Sequence, residues 1–286
     1  MKDKGLLRYS VDVWSILMVV SVLCVQFAAL ALDWGWWFLV PLILLLRQTN
    51  LVEHNHAHLR IFHSRALNEA FGWMCFLSNG VPLEFYEVHH VDNHHRHNNT
   101  DEDWSSIFAF KGCRFPDRAA SMPRYILTFP HRTVISSLRW IMGHPERKMY
   151  RRFWTSVGVV GVVSAGLVAI NPVGFVKFFA IPWLGIFFGL GFTSYRHHLN
   201  CEFTSPYDSS NVMRGIPFEI LGFNIGFHVS HHMKPALHWS LLPEHHESIE
   251  HLIPDHHFLA GGRIRPQHEA AAAVATPAQE SSSHIV

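Results

Sequence analysis

Val13–Leu32 reads VWSILMVVSVLCVQFAALAL, and after Asp33 the chain resumes over Trp34–Val52 as WGWWFLVPLILLLRQTNLV. A helix that crosses a bilayer needs about 20 predominantly apolar residues. The first run supplies that length without a formal charge. The second is uncharged from Trp34 to Leu46 and reaches bilayer length when it continues through Arg47, whose charge can snorkel, to Val52. Trp34, Trp36 and Trp37 fall where an interfacial aromatic belt belongs. With only Asp33 between them, the two runs form a helical hairpin. Lys2, Lys4 and Arg8 ahead of the first run, and Ala29-Leu30-Ala31 near its end, give it the look of a cleavable signal. The run is long for such a segment and leads almost directly into a second one, so it is read as a span.

Phe153–Ile170 and Phe178–Tyr195 make a second hairpin around the turn Asn171-Pro172-Val173-Gly174. The expectation is therefore an all-α integral membrane protein with four transmembrane helices, at about 13–32, 34–52, 153–170 and 178–195. One domain covers 1–260, capped by helices that carry the histidine clusters described next, and a low-complexity, disordered tail covers 261–286. Four spans place both termini and both long hydrophilic stretches on one side. Every Lys and Arg except Lys177 then falls there, which the positive-inside rule names as cytoplasmic. Ala70–Leu83 is also apolar, but it is short and interrupted by Asn79, Gly80 and Pro82, so it is read as an interfacial or buried helix.

The composition agrees with a bilayer. Hydrophobic residues make up 49% of 286, and only 16% are charged, below the roughly 25% usual in soluble proteins. A net charge of +1 without a clustered basic excess argues against nucleic acid. The anomaly is 24 histidines, with none before His54 and none between Pro145 and Arg196. Cys24, Cys75, Cys113 and Cys201 stand far apart with no CxxC spacing, so any metal here would be held by imidazole.

Residues four apart on a helix share a face, and those three apart nearly do. Three clusters exploit this. Glu53-His54-Asn55-His56-Ala57-His58 presents HxxxH where the second span leaves the membrane, His90 to His95 gives HxxxHH, and His228 to His232 gives HxxHH. A further pair, His197-His198, ends the fourth span. One such pair is weak evidence, but three clusters on the same side of a membrane point to metal binding.

These motifs resemble the membrane fatty-acid desaturase superfamily, which includes the bacterial alkane hydroxylases. His90-Val-Asp-Asn-His94-His95 followed by Asn99-Thr100-Asp101-Glu102-Asp103 is similar to the second box of alkane hydroxylases. Asn224 to His232, continued by Pro235, His238-Trp239 and Leu242-Pro243, is similar to the third desaturase box. Tyr195-Arg196-His197-His198 resembles the extra histidine after the last span, with the tyrosine favouring His198. The resemblance covers roughly Val13 to His246. Asn55 departs from the acid usual in the first box, and the second box has three residues rather than two before its paired histidines.

The resemblance implies a non-haem di-iron oxidase whose two Fe ions are held by His54, His58, His90, His94, His95, His198, His228, His231 and His232, with positions left open for O2. Asn224, four residues before His228, could reach a metal through water or cap a helix. Asp103, with Asp92, Glu87 and Glu202, could brace a ligand imidazole. His56, His89, His97 and His197 adjoin ligands but point elsewhere. The implied reaction is O2-dependent oxidation of a fatty-acyl chain, read first as desaturation, with terminal hydroxylation, alkene-forming decarboxylation and acetylenation as alternatives for the same site. The implied partners are a fatty-acyl or lipid substrate, free or carrier-bound, and a soluble electron donor such as ferredoxin or rubredoxin with its reductase. Two rivals fare worse. A divalent-metal transporter places its ligands near mid-membrane, and a membrane zinc protease needs HExxH, which the chain lacks.

Overall fold

A computed structural model describes residues 5–108 and 120–260. The expected tail over 261–286 lies outside the described residues, as do Lys2 and Lys4. Helix α1 (Val13–Ala31) and helix α2 (Leu39–His58) form the first hairpin. Its tip turns through Asp33, at φ 46°, and a short 3-10 turn at Trp36–Phe38. Helix α3 (Arg65–Asn79) follows. Helix α4 (residues 83–97) begins at Leu83–Phe85, winds as a π-helix through Tyr86–His94 and ends at His95–His97. Helices α5 (Met122–Met142), α6 (Lys148–Ile170) and α7 (Pro172–His198) complete the bundle. Short helices α8 (Ile216–Glu219), α9 (His228–Met233) and α10 (Leu242–Ile249) lie in the C-terminal segment.

Among the described residues three helices are long and apolar enough to cross a membrane: Ser10–Ala31, Lys148–Ile170 and Pro172–His198. The fourth expected span is a helix but is not among them. Its first half, Leu39–Leu46, is apolar. From Arg47 onward it turns polar, and Thr49, Asn50, Glu53, His54 and His56 are buried against neighbouring helices. Half of α2 is thus hydrocarbon-like and half is the wall of a polar site. Helix α6 shows the opposite character. Val162 and Ile170 are among its exposed apolar side chains, while its buried residues are few: Phe153, Ser156, Val160 and Leu167. Such exposed apolar surface suits lipid rather than water.

The two hairpin tips meet at one end of the bundle. Asn171 caps α7 by accepting from the Gly174 N–H, and its Nδ2 reaches the Leu30 carbonyl of the other hairpin. Lys177 Nζ lies 3.1 Å from Asp33 Oδ1 and packs over Trp36. Between the tips and the histidines runs the core, where Leu42 and Leu46 of α2 meet Phe178, Phe179 and Ile186 of α7, Phe85 of α4 and Ile141 of α5. Helix α3 is the short helix expected near 70–83, shifted toward the N-terminus. It packs on α1, α2 and α6 and ends at Gly80, whose φ of 79° and contact with Trp183 both require glycine. Gln26 of α1 ties α3 to α7 by donating to the carbonyls of Ser78 and Phe178.

Helix α5 packs along α7 by a stripe of Tyr125, Phe129, Thr133, Ser137 and Ile141, one residue in every turn. The fold is not wholly helical. Val212–Met213 pairs in parallel with Phe258–Ala260, tying the end of the described chain to the loop after α7.

Candidate metal centre

Each histidine cluster sits where a helix reaches the end of the bundle opposite the hairpin tips. His54 and His58 lie one turn apart on the last turns of α2, His198 closes α7, and His228, His231 and His232 occupy α9. In α4 the π-helical winding, a feature frequent at functional sites, carries His90 and His94, with His95 just beyond.

The side chains converge as two groups of four that could hold a metal ion. His54, His58, His90 and His231 form one group, and His94, His198, His228 and His232 form the other. Within each, the ligand nitrogens lie within 4.8 Å of one another. Helices α4 and α9 contribute to both groups, whereas α2 serves only the first and α7 only the second. His95 belongs to neither set, but its Nε2 is 3.1 Å from His90 Nε2 and 3.0 Å from His231 Nε2, at the edge of the first group. His54 Nε2 lies 2.7 Å from His90 Nε2, and His232 Nε2 lies 3.2 Å from His228 Nε2. Imidazole–metal bonds of about 2.0–2.1 Å would set neighbouring ligand nitrogens roughly 3.0–3.4 Å apart. Nitrogen lone pairs gathered this closely fit a shared cation, so the residues present suit a metal in each group.

Ring orientation is fixed from behind, most clearly in the second group. His94 Nδ1 donates to Asp103 Oδ2 at 2.7 Å, and His198 Nδ1 donates to the Ser209 carbonyl at 2.9 Å. A carboxylate and a carbonyl only accept, so Nδ1 carries the proton in both rings and Nε2 presents its lone pair to the group. Asp103 is saturated. It also accepts from the Asn99 N–H, the Ser105 N–H and Ser105 Oγ. Burial would raise its carboxyl, but His94 and these hydrogen bonds outweigh burial and hold it well below the usual carboxylate range. Burial first, and neighbouring imidazoles second, push His90, His228, His231 and His232 well below the ordinary histidine value of 6.5. All four are therefore neutral and able to donate to a metal at neutral pH.

The remaining residues singled out in the sequence take other places. Asn224 is not one helical turn before His228 on a shared helix. It sits at φ 60° in a turn, and its Nδ2 donates to the Trp239 carbonyl. His56 faces α3, fully buried, with Nε2 on the Asn68 carbonyl. His89 bonds back to the Phe85 carbonyl, and His97 pairs with Glu102. His197 is buried and stacks on His228 with ring centroids 3.8 Å apart. Glu87 pairs with Arg60 and Arg152 rather than with an imidazole. Sequence reasoning missed Ser105 and Tyr125, the latter donating to the Ser105 carbonyl behind Asp103. It also missed the Ser209 carbonyl, which as backbone leaves no compositional signal.

A pocket of about 60 Å³ opens beside the histidines, lined by His54, His90, His94, His198 and His228 together with Leu51, Phe129, Leu190 and Thr193. A larger, mostly apolar cavity of about 600 Å³ lies between α2 and α7. Leu51, Leu190 and Thr193 line both, so the cavity reaches the metal end of the bundle. Gly185 and Gly189, stacked one turn apart below Thr193, keep its α7 wall thin. A Cβ added at Gly189 would meet nothing within 4 Å.

Comparison with known proteins agrees with this geometry. No solved structure matches the chain. Among curated proteins it is 26% identical over 251 residues to an omega-6 fatty acid desaturase, chloroplastic, of Arabidopsis thaliana, covering 75% of this chain and 54% of that protein. It is 22% identical to the sn-1 oleoyl-lipid 12-desaturase of Arthrospira platensis, covering 78% of this chain and 71% of the relative. The chain thus spans about half the length of the chloroplast relatives it matches. The fatty acid desaturase family model matches residues 33–260, a stretch that contains all eight histidines of the two groups, and the chain belongs to that family.

Proposed function

We propose that the two groups hold two iron ions and that the chain oxidises a fatty-acyl substrate with O2, most simply by desaturation. The observation that carries this reading is the meeting of histidines from four separate helices in two adjacent groups of four. Paired iron, when bound, supplies the reduction of O2 to an oxidant strong enough to take hydrogen from an aliphatic carbon. The chain's own part is to hold, orient and exclude. His94 and His198 keep their Nε2 lone pairs aimed inward through Asp103 and Ser209. His95 stands between the groups and would complete the ninth ligand position at the first. The apolar cavity along Ile43, Leu44, Ile186 and Phe188 would bind an acyl chain from the bilayer and exclude water from it. Which chain carbon stops beside the histidines is then set by the shape of that cavity near Leu51, Leu190 and Thr193.

The side of the membrane that faces the hairpin tips carries few charges, which supports a cytoplasmic site served by a soluble electron donor such as ferredoxin or rubredoxin with its reductase. The decisive experiment measures metal and product together. Purified protein should carry about two irons per chain and form an O2-dependent oxidised acyl product with a reduced donor. A preparation that holds one zinc, or that holds iron but consumes no O2 with any acyl substrate, would defeat the proposal.

A further inference from the structure

The face of α2 that carries His54 and His58 continues toward the hairpin tips. Counted from Arg47, Asn50, Leu51, His54 and His58 stand at the i+3, i+4, i+7 and i+11 positions and form one stripe. Its lower part, Arg47 to Leu51, lines the 600 Å³ cavity. Arg47 is half-buried there, and among the described residues it has no ion-pair partner, whereas Lys177 at the hairpin tips has Asp33. Asn50 is 3% exposed. Its Oδ1 accepts from the Tyr86 hydroxyl at 2.7 Å, which leaves Nδ2 as a buried donor without a partner. The other lining residues are almost all apolar, and none is acidic.

A buried donor without a partner and a cation without a counter-ion both carry a cost that an anionic acceptor would relieve. An ester or a hydrocarbon would leave the guanidinium charge uncompensated. A carboxylate offers two acceptor oxygens that match the guanidinium fork. Phe218 and Pro217 border the cavity beside the exposed Ile216 and Ile220, so it is reached from an apolar surface suited to a molecule arriving from lipid.

We infer that Arg47 and Asn50 form a binding site for the carboxylate of a free fatty acid, whose chain occupies the apolar cavity. The inference rests on the acyl-oxidising function proposed above and specifies the head group of its substrate. Arg47 and His54 are separated by about two helical turns, roughly 10 Å of rise, so the acid is anchored near the metal end of the cavity.

The test is equilibrium binding to the full chain in lipid nanodiscs, without O2 or reductant, using palmitate, methyl palmitate and dipalmitoyl phosphatidate as probes. Palmitate should bind about 10- to 100-fold more tightly than its methyl ester, the range expected for a charge-assisted pair. Arg47→Gln should remove that preference while leaving ester binding unchanged, Arg47→Lys should keep most of it, and Asn50→Leu should weaken it. Equal binding of acid and ester by the native protein overturns the site, and so does an acid preference that survives Arg47→Gln. Phosphatidate displacing palmitate at equal or better affinity would reassign the cavity to a lipid head group and also overturn it. Iron content of the same samples reads the oxidase proposal separately. Iron-free protein that still prefers the acid leaves the carboxylate site standing, and iron-loaded protein that does not discriminate removes the site alone.

Discussion

The two histidine groups share α4 and α9 but are supported differently. In the group of His94, His198, His228 and His232, two rings are locked from behind by Asp103 and by the Ser209 carbonyl. In the group of His54, His58, His90 and His231, the corresponding support is a 3.3 Å contact from His54 Nδ1 to the side-chain oxygen of its neighbour Asn55. The first arrangement is preorganised. The second is closed largely by its own imidazoles and by His95 at its edge. Preorganised ligands bind metal with less reorganisation, so the braced group should take up metal first and release it last.

The largest expected effect comes from deleting a ligand in each group. His232→Ala and His58→Ala should both abolish O2-dependent product, but His232→Ala should lower bound iron to near zero while His58→Ala retains about one iron per chain. Equal iron in the two variants would break the contrast. Next is Asp103→Asn, which keeps the shape and removes the charged acceptor behind His94. It should weaken metal retention about 10- to 100-fold, read by chelator titration, with little change in the helical signal. A smaller effect is expected from acid. Because burial keeps His90, His228, His231 and His232 below 6.5 in the folded state, the unfolded chain gains protons that the folded site refuses as pH falls below 6.5. Metal-free protein should therefore lose stability on acidification, by about 1.4 kcal/mol per pH unit for each excluded proton, and thermal unfolding measured from pH 7 to 5 would detect the slope. Smallest of all, His256→Ala should leave iron and turnover unchanged, since this ring packs at a tilt against His257 and belongs to neither group.

The spans α1, α6 and α7 were legible because an apolar run declares itself without knowledge of its neighbours. Their ends were less so. Helix α6 begins at Lys148, five residues before the expected Phe153, because charged residues can extend a helix past the lipid. Helix α2 shows the limit of hydropathy, since Thr49, Asn50 and Glu53 are polar yet buried, and only the packing of α3 and α4 explains why. Helix α5 went unread. Its stripe recurs every fourth residue from Tyr125 to Ile141, but Thr133 and Ser137 dilute the apolar signal and Pro130 reads as a breaker. Among the candidate ligands, local spacing identified the clusters. Their division between two groups was invisible, because His90 and His94 lie four residues apart and yet serve different groups. That division is a property of the π-helical winding and of how α2 and α7 flank it.

The pairing of Asp33 with Lys177 has a bearing on how the bundle is assembled. Each hairpin carries one charge at its far turn, negative on the first and positive on the second. Side by side they form an ion pair in which Lys177 is buried over Trp36 and Asp33 stays largely exposed, flanked by the Asn171–Leu30 bridge. A pair this exposed on one side adds little energy, so its consequence is one of alignment: Asp33 and Lys177 meet only when the two tips lie side by side, and from level tips α2 and α7 carry His54 and His198 to the same opposite end of the bundle.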